Sequence, residues 1–299
     1  MTRTAQDGTS GGLVEHTPLA VICGGGSLPR AVVEAVTRRG RAVAIFALKG
    51  FADPALVEGH PHLWGTVTQY GRFRRFARAQ GCREVVLIGS VLRPSLSQLS
   101  FDLATVSLIP RFVAALRGGD DHLLSALARV MEEDGFRLLA SHDVAPDILM
   151  PAGLLGRVQP SEDDTADIRR GLGLLAAMGP YDVGQAVVVA RGYVLAVEAA
   201  EGTDLMLQRV ADLRGHRRVP TRAGQGVLVK APKPHQDRRI DLPTIGPDTV
   251  EGVARAGLAG LAVAAGSSLV AEMEALVESA DRLGIFVAGW SPEQNGPDP

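Results

Sequence analysis

Hydrophobic residues in the first half of the chain form short continuous runs separated by amphipathic stretches. The runs predict buried β-strands at 19–23, 41–48, 84–89 and 136–140. The stretches between them predict helices at 30–39, 110–117 and 121–134. Ser27 and Pro29 suit the cap and first turn of the first helix. Alternating strands and helices of this kind predict a Rossmann-like α/β domain with a mostly parallel sheet.

The second half combines similar runs with a hairpin. Alternation from Ala186 to Glu198 predicts two antiparallel strands that turn at Arg191-Gly192. Helices are predicted at 163–178, 203–213, 249–257 and 272–283. Strands are predicted at 226–229, 261–264 and 285–288. These elements predict a second α/β (α+β) domain with a mixed sheet.

The length of the chain favours two domains. It has 299 residues, of which 46% are hydrophobic and 21% charged, which suits two globular cores. The segment 148–156 is rich in proline and glycine and is the predicted linker between an N-terminal domain (18–147) and a C-terminal catalytic domain (157–291). Residues 1–17, which lack the apolar region of a signal peptide, and residues 292–299 are predicted tails.

Charge and cysteine content narrow the setting of the protein. The formal net charge of −2 gives no general attraction to nucleic acid. The two cysteines, Cys23 and Cys82, suit core positions in a reducing compartment. No apolar run reaches the ~20 residues of a membrane span, so we expect a soluble cytoplasmic protein. The arginines between Arg214 and Arg222 suit a solvated loop or a weak attraction to anionic lipid headgroups.

A glycine-rich turn, formed by Gly24, Gly25, Gly26 and Ser27, follows the first predicted strand. Glycines let backbone N–H groups approach a phosphate, and the start of a helix favours an anion. The turn is therefore a candidate for substrate binding, with a tight structural turn as the alternative. NAD is disfavoured, because Pro29 replaces the third glycine of the dinucleotide fingerprint and no acidic residue ends the second strand.

A second candidate turn, which contains Gly89, Ser90 and Arg93, follows the strand at 84–89. The carboxyl ends of parallel strands share one edge of a sheet, where ligands gather. We therefore expect Gly89 and Ser90 beside the glycine turn. Arg93 is predicted to contact a phosphate there, with a surface position as the alternative.

The densest chemical signal is the segment from Val229 to Pro247. Prolines at 232, 234, 243 and 247 keep it from regular structure, and it carries both signs of charge. Carboxylates in such a loop can hold Mg²⁺ or Mn²⁺, and cations can neutralise phosphate oxygens. Asp241 and Lys230 are the predicted catalytic residues. A salt bridge from Asp241 to Arg238 or Arg239 that only braces the loop is the alternative.

Further polar candidates lie around the predicted hairpin. Gln185 precedes it, and the run from Glu198 to Asp204 follows it with three carboxylates and a hydroxyl. Gln185 and Thr203 are predicted substrate contacts, although Thr203 would also suit a helix cap. Glu201 and Asp204 are predicted metal ligands together with Asp241.

Several strings resemble the UDP-2,3-diacylglucosamine pyrophosphatase family of lipid A biosynthesis, the two-domain type unrelated to calcineurin-like phosphoesterases. They are CGGGSLP, FADP, GSVLRP, GDDHLL, AEGTDLM, VKAPKP and LPTIGP, which together run from Cys23 to Pro247. The last three are quite specific, whereas the glycine run alone is a weak signal. The similarity covers nearly the whole chain apart from the tails.

The resemblance implies hydrolysis of UDP-2,3-diacylglucosamine to 2,3-diacylglucosamine 1-phosphate (lipid X) and UMP with Mg²⁺. It also implies a homodimer, an active site between the domains and a key acidic residue at Asp241. The family varies at the position of Asp237, which argues against a catalytic role there. A lipid-linked nucleotide sugar as substrate implies transient contact with the inner-membrane surface. A non-catalytic nucleotide-sugar-binding regulatory protein is the alternative, and a nicotinamide oxidoreductase comes third.

Overall fold

The computed structural model describes residues 17–91, 120–216, 218–219, 221–234 and 236–291. Two larger sheets and one small sheet with helices packed on them form an α/β fold, which confirms the predicted fold class. The predicted tails up to residue 16 and from 292, and the predicted helix at 110–117, lie outside the described residues. Among the helices that are described, none has both the length and the apolar character needed to cross a bilayer.

The first sheet is formed by five strands: β1 (Leu19–Cys23), β2 (Val43–Leu48), β3 (His62–Gly65), β4 (Glu84–Ile88) and β5 (Arg137–Leu138). Their order is β3-β2-β1-β4-β5 and all the pairs are parallel. Leu19 of β1 lies opposite Val43 on one side and Glu84 on the other. This is the strand order with which a Rossmann sheet begins. The turns after β1 and β4 therefore lie side by side where the order reverses.

Helices cover both faces of this sheet. They are α1 (Leu28–Arg38), α2 (Pro54–Val57), α3 (Tyr70–Ala79), α4 (Asp120–Glu133) and α5 (Ser141–Val144). Alternate residues of each strand belong to opposite cores, as the two-residue period of a strand requires. Val21 of β1 packs with α1 and α5 residues, and Ala20 packs with α3 and α4 residues.

The second half contains a mixed sheet with strands β6 (Gly153–Leu155), β7 (Ala186–Ala190), β8 (Tyr193–Val197), β9 (Val227–Lys230), β11 (Gly260–Ala264) and β13 (Phe286–Trp290). Their order is β6-β13-β11-β9-β7-β8. β9, β11 and β13 are parallel, whereas β6, β7 and β8 join by antiparallel pairing. Two further short strands, β10 (Thr244–Ile245) and β12 (Leu269–Val270), form a separate parallel pair.

Four helices sandwich the second sheet: α6 (Glu162–Met178), α7 (Gly202–Gly215), α8 (Pro247–Arg255) and α9 (Met273–Leu283). α6 covers one face through Ile168 and Leu175. The other three pack on the opposite face around Met206 and Val253. α6 begins at Ser161, whose side chain forms a reciprocal capping box with Asp164.

The predicted hairpin is present as β7 and β8, and it turns at the predicted dipeptide. Arg191 and Gly192 both have positive φ, 51° and 77°, as a two-residue hairpin turn requires. Asp167 of α6, which is 2% exposed, accepts hydrogen bonds from both turn N–H groups at 2.7 Å. A buried carboxylate on the neighbouring helix therefore braces the turn end of the hairpin.

Four short strands are not predicted by the hydrophobic pattern: β3, β6, β10 and β12. β6 lies inside the segment predicted as a linker and pairs antiparallel with β13. Strands of two to four residues are too short to show a period of two. They form because a partner strand offers hydrogen bonds.

The loop that follows β9 contacts the first half of the chain. Ile240 packs against the core beneath α3 and α4, and Leu242 belongs to the core beneath α1. Arg239 forms an ion pair with Glu132 of α4 at 2.6 Å. Asp241 therefore lies where the two halves of the chain meet.

Candidate active site

Lys230 is the last residue of β9, and its side chain is buried in the second half of the chain. The residue is 8% exposed. Its Nζ donates to Thr203 Oγ1 at 3.0 Å and to the backbone oxygen of Thr244 at 3.1 Å. A buried ammonium needs nearby opposite charge. Burial lowers the pKa of Lys230, and Glu198, Asp204 and Asp241 act in the opposite direction.

Glu198 follows β8 directly and joins several of the predicted site residues. Its Oε1 accepts a hydrogen bond from the Thr203 hydroxyl at 2.7 Å. Its Oε2 accepts one from the backbone N–H of Gln185, also at 2.7 Å. Thr203 lies in the first turn of α7, whose N-cap position is occupied by Glu201. The alternative interpretation of Thr203 as a helix cap is therefore not what the structure shows.

Asp241 is oriented by two amide side chains. Gln185 Nε2 donates to Asp241 Oδ2 at 3.3 Å, and Gln236 Nε2 donates to the same oxygen. Gln236 is 8% exposed, and its Oε1 accepts the backbone N–H of Lys233 at 3.1 Å. Both ends of the Gln236 amide are thus in use, so its donor end is fixed toward Asp241.

The salt bridge that braces the loop, considered above as an alternative for Asp241, is formed by Asp237. Arg239 forms a two-point contact with Asp237, at 3.0 and 2.8 Å. Hydrogen bonds from Arg239 lower the pKa of the Asp237 carboxyl. Arg238 donates to the backbone oxygen of Gly266 and to Ser267 Oγ. Both arginines therefore serve the loop without pairing with Asp241.

Glu201 and Asp204, the two predicted metal ligands at the start of α7, lie in different surroundings. Glu201 forms an ion pair with Arg209 at 2.5 Å. A hydrogen bond from its own backbone N–H and one from Arg209 lower the pKa of this carboxyl. Glu201 would have to share or leave this ion pair to bind a metal, whereas Asp241 and Asp204 both act on Lys230.

The predicted ligands would suit a magnesium ion that is also bound by water and by substrate phosphates. Within the ranges that the structure describes, no three His, Cys, Asp or Glu side chains gather into a metal-binding group. Mg²⁺, however, is usually held by one or two carboxylates together with waters and substrate phosphates. Asp204 and Asp241 both act electrostatically on Lys230. Two carboxylates in one region match this mode of binding and do not form a closed cage.

The glycine turn of the first half is tied to its neighbour by backbone pairing. The N–H of Gly24 donates to the oxygen of Ile88 at 2.8 Å, and Gly25 exchanges two hydrogen bonds with Ser90. A Cβ on Gly24 would lie 2.6 Å from the Ser90 oxygen. A Cβ on Gly89, whose φ is +102°, would lie 2.7 Å from the Gly25 oxygen. Close approach of two turns explains these glycines.

This pairing corrects part of the predicted cradle. Gly24 and Gly25 direct their N–H groups at the second turn, so they shape the site without offering donors to a phosphate. Gly26, at φ +87°, has no heavy atom within 4 Å of a built Cβ. Ser27 occupies the N-cap position of α1, but its side chain makes no capping hydrogen bond, contrary to expectation. Gly26 and Ser27 therefore remain the substrate-binding candidates of this turn.

The structure brings Lys230, Gln185, Thr203, Asp204 and Asp241 together, and it places Gly89 and Ser90 beside the glycine turn as predicted. Arg93 lies outside the described residues. The sequence interpretation missed three residues of the network: Glu198, Gln236 and Thr244. Glu198 and Gln236 belong to the acidic and polar segments that the sequence indicates as candidates, but only the fold shows which residues they contact.

The cluster in the second half has the parts that phosphoryl transfer needs. It contains an oriented carboxylate, a second carboxylate, and a buried cation held by defined partners. Catalysis of phosphoryl transfer consists largely of positioning and electrostatic stabilisation. The arrangement suits a polyanionic substrate such as a diphosphate.

Family models match both halves of the chain. The model of the LpxI N-terminal domain matches residues 18–148, and that of the LpxI C-terminal domain matches residues 151–288. A relative from Caulobacter vibrioides, the UDP-2,3-diacylglucosamine pyrophosphatase LpxI, is 42% identical over 276 residues. That similarity covers 92% of this chain and 98% of the relative.

Among solved structures, two UDP-glucose 4-epimerases resemble the chain distantly. The enzyme from Stenotrophomonas maltophila, with bound NAD and formylated UDP-arabinopyranose, has a TM-score of 0.29 and 13% identity over 92% of this chain and 94% of its own. The enzyme from Brucella ovis, in complex with NAD, has a TM-score of 0.28 and 15% identity over 94% and 96%. Scores this low carry no argument about fold or function.

Proposed function

The chain belongs to the LpxI family, and on that premise we propose that it uses a divalent metal to hydrolyse UDP-2,3-diacylglucosamine to 2,3-diacylglucosamine 1-phosphate (lipid X) and UMP. Family membership makes it a hydrolase of this substrate in lipid A biosynthesis. The metal, Mg²⁺ or Mn²⁺, and the two products are the proposed part.

One observation carries the proposal: a buried lysine lies near three carboxylates, and one of these, Asp241, is oriented by two hydrogen bonds. Lys230 lies close enough to Glu198, Asp204 and Asp241 for all three to raise its pKa against burial. Several carboxylates around one ammonium suit a site that binds a metal cation together with its substrate. A cation and a diphosphate would enter together with little change in net charge.

Asp241 and Asp204 are the residues that we assign to the metal. When bound, Mg²⁺ supplies Lewis-acid polarisation of a phosphate oxygen and lowers the pKa of a bound water. Gln185 and Gln236 fix the rotation of the Asp241 carboxylate through Oδ2. This orientation is set before substrate arrives, so the protein does not reorganise during the reaction.

Lys230 binds the diphosphate and stabilises the charge that develops on it. An ammonium has three N–H donors, and Thr203 and Thr244 each accept one from Lys230. We assign the third to a non-bridging phosphate oxygen. Burial keeps water away from this ammonium, which strengthens its attraction for the phosphate.

The glycine turn is assigned to the nucleotide part of the substrate. Gly26 and Ser27 directly precede α1, where backbone N–H groups and the helix dipole favour an anion. Hydrogen bonds between Gly24 and Ile88 and between Gly25 and Ser90 hold this turn against the turn after β4. Asp241 lies at the meeting point of the halves, between Ile240 and Leu242, so the proposed site uses both halves of the chain.

We further propose a homodimer that contacts the inner-membrane surface transiently. The acyl chains of the substrate would gain about 0.8 kcal/mol for each buried CH₂, so they would hold the substrate in the bilayer until an apolar surface replaces the lipid. Light scattering would give the mass of a dimer, and sedimentation with anionic vesicles would give weak, reversible binding. A monomer that never sediments with vesicles would exclude both.

The proposed reaction is tested by following both products with purified protein. UDP-2,3-diacylglucosamine and Mg²⁺ should give equal amounts of UMP and 2,3-diacylglucosamine 1-phosphate. A chelator should stop the reaction, and Mg²⁺ or Mn²⁺ in excess should restore it. Turnover that is unaffected by chelation would overturn the metal assignment, whereas other products would overturn the assigned bond.

The alternative, a regulatory protein that binds the nucleotide sugar without reaction, predicts a different outcome in the same experiment. It would retain the intact substrate with and without the chelator, and no UMP would form. The clustered charges around Lys230 favour the enzyme, because a binding protein has no need of an oriented carboxylate beside the phosphate site.

A further inference from the structure

Glu198 lies behind the proposed catalytic residues and contacts both arms of the site. On one arm, Thr203 donates its hydroxyl hydrogen to Glu198 Oε1. A hydroxyl has one hydrogen to donate, so Thr203 Oγ1 can only accept from Lys230 Nζ. The direction of this chain of hydrogen bonds is thus fixed, from Lys230 through Thr203 to Glu198.

On the other arm, Glu198 holds the residue that orients Asp241. The backbone N–H of Gln185 donates to Glu198 Oε2 at 2.7 Å, and the Gln185 side chain reaches Asp241 Oδ2. The backbone N–H of Glu198 in turn donates to the Ala186 oxygen at 2.9 Å. Two hydrogen bonds therefore tie the end of β8 to the start of β7, and the Gln185 side chain links this junction to Asp241.

The approach of Glu198 to this strand start requires a glycine at position 184. Gly184 has φ +37°, and a Cβ there would lie 2.2 Å from the Glu198 oxygen and 2.9 Å from the Glu198 Cβ. No other residue fits without moving Glu198. Gly184 thus permits the close backbone approach at position 198, which places the Glu198 carboxylate beside the backbone N–H of Gln185.

From this geometry we propose that Glu198 is the positioning residue of the active site, whose one carboxylate sets Lys230 through Thr203 and Asp241 through Gln185. This assignment rests on the proposed function, because it gives Glu198 a role in the same reaction. Glu198 touches neither reacting phosphate nor metal in this account. Its effect passes through the two residues that do.

The charge of Glu198 has a second effect on the site, on the protonation of Lys230. The groups that face this ammonium are Glu198 at the end of β8, Asp204 on α7 and Asp241 on the loop after β9. Each favours the charged form against burial. Removing one negative charge therefore lowers the pKa of Lys230, and the protonated lysine is lost at a lower pH.

The test compares Glu198→Gln with Glu198→Asp and with a matched control, Asp167→Asn. Asp167 is a buried carboxylate that braces the other end of the same hairpin, so its variant reports the cost of loosening the hairpin alone. For each protein, kcat and KM for UDP-2,3-diacylglucosamine, the pH profile of kcat/KM and the melting temperature are measured with saturating Mg²⁺.

Glu198→Gln should lower kcat by about ten- to a hundredfold while KM changes by less than about threefold, the effect expected when a supporting residue misplaces a catalytic one. The alkaline limb of kcat/KM, which reports the free enzyme, should move down by about one pH unit. Glu198→Asp keeps the negative charge. The alkaline limb of its kcat/KM profile should therefore lie near the wild-type pH, although kcat falls. Asp167→Asn should lower the melting temperature but leave kcat and the alkaline limb of kcat/KM unchanged.

A Glu198→Gln protein with unchanged kcat and an unmoved limb would overturn the proposal. The proposal would also fail if Asp167→Asn lowered kcat as much as Glu198→Gln does and the two variants had the same fall in melting temperature. The wild-type protein separates this outcome from failure of the proposed function. If the wild type itself forms no UMP, the reaction is wrong and the Glu198 assignment falls with it.

Discussion

In the first half of the chain, the backbone N–H groups of Gly24 and Gly25 donate to Ile88 and Ser90. In the second half, the Lys230 ammonium donates to Thr203 and Thr244 and lies near three carboxylates. Both regions carry the residue types expected at a phosphate site. In the first, glycines are needed because two turns approach closely. In the second, charged side chains of both signs lie together, as the binding of a metal and a phosphate requires.

The difference shows what a motif can establish. A run of glycines indicates that the backbone lies very close to another group. Here that group is mainly the turn after β4. A cluster of charged side chains held by defined hydrogen bonds indicates chemistry more directly, because burying a charge is unfavourable unless it is paired and hydrogen-bonded. We therefore place the reaction in the second half and assign the shape of the nucleotide pocket to the first.

The largest effect that separates the two regions is expected at Lys230. Lys230→Met keeps the length of the side chain and removes the ammonium, so kcat should fall by roughly a hundred- to a thousandfold. Steady-state formation of UMP measures the change, and circular dichroism verifies the fold. A folded Lys230→Met protein with wild-type kcat would remove this lysine from the mechanism.

A pair of glycine variants should affect stability more than chemistry. Gly89→Ala forces a Cβ into the Gly24–Gly25 backbone at a positive φ and should lower the free energy of unfolding by about 3 kcal/mol. Gly26→Ala meets open space, so only the strain of its φ remains, about 1 kcal/mol. Urea denaturation measures both values. Equal losses would show that the close pairing of the two turns is not what requires Gly89.

The smallest effect is expected where the two halves of the chain meet. Glu132→Gln removes the partner of Arg239 at a half-exposed ion pair, while Arg239 keeps its contact with Asp237. Such a pair contributes at most about 1 kcal/mol, so unfolding should change little and kcat should change by less than about twofold. A loss of several decades in kcat would mean that this contact controls Asp241.

The sequence predicted the fold class and most of the longer elements, because their hydrophobic periods extend over enough residues to be read. The hairpin turn at Arg191-Gly192 followed from alternation that breaks at a glycine. By contrast, β3 and β6 depend on a partner strand for their existence. Their own few residues, which include glycines and a histidine, contain no pattern that indicates pairing.

The candidate site was only partly predictable. Lys230, Asp241, Gln185, Thr203 and Asp204 were named from their residue types and runs, and the fold gathers them. Glu201 was named on the same grounds, and its carboxylate forms an ion pair with Arg209, about two helical turns further along the chain. Glu198 was passed over as a ligand because its role depends on the close return of β8 toward Gly184, which only the folded chain shows.

The most direct test of the account compares Asp241→Asn with Asp237→Asn, two carboxylates four residues apart on one loop. In the structure Gln185 and Gln236 orient Asp241, whereas Arg239 holds Asp237. Formation of UMP from UDP-2,3-diacylglucosamine with Mg²⁺ is measured for both, and substrate binding is measured by calorimetry. Asp241→Asn should bind substrate and lose about three decades or more of turnover, with Asp237→Asn within about tenfold of the wild type. A folded Asp241→Asn protein that turns over at the wild-type rate would contradict the account.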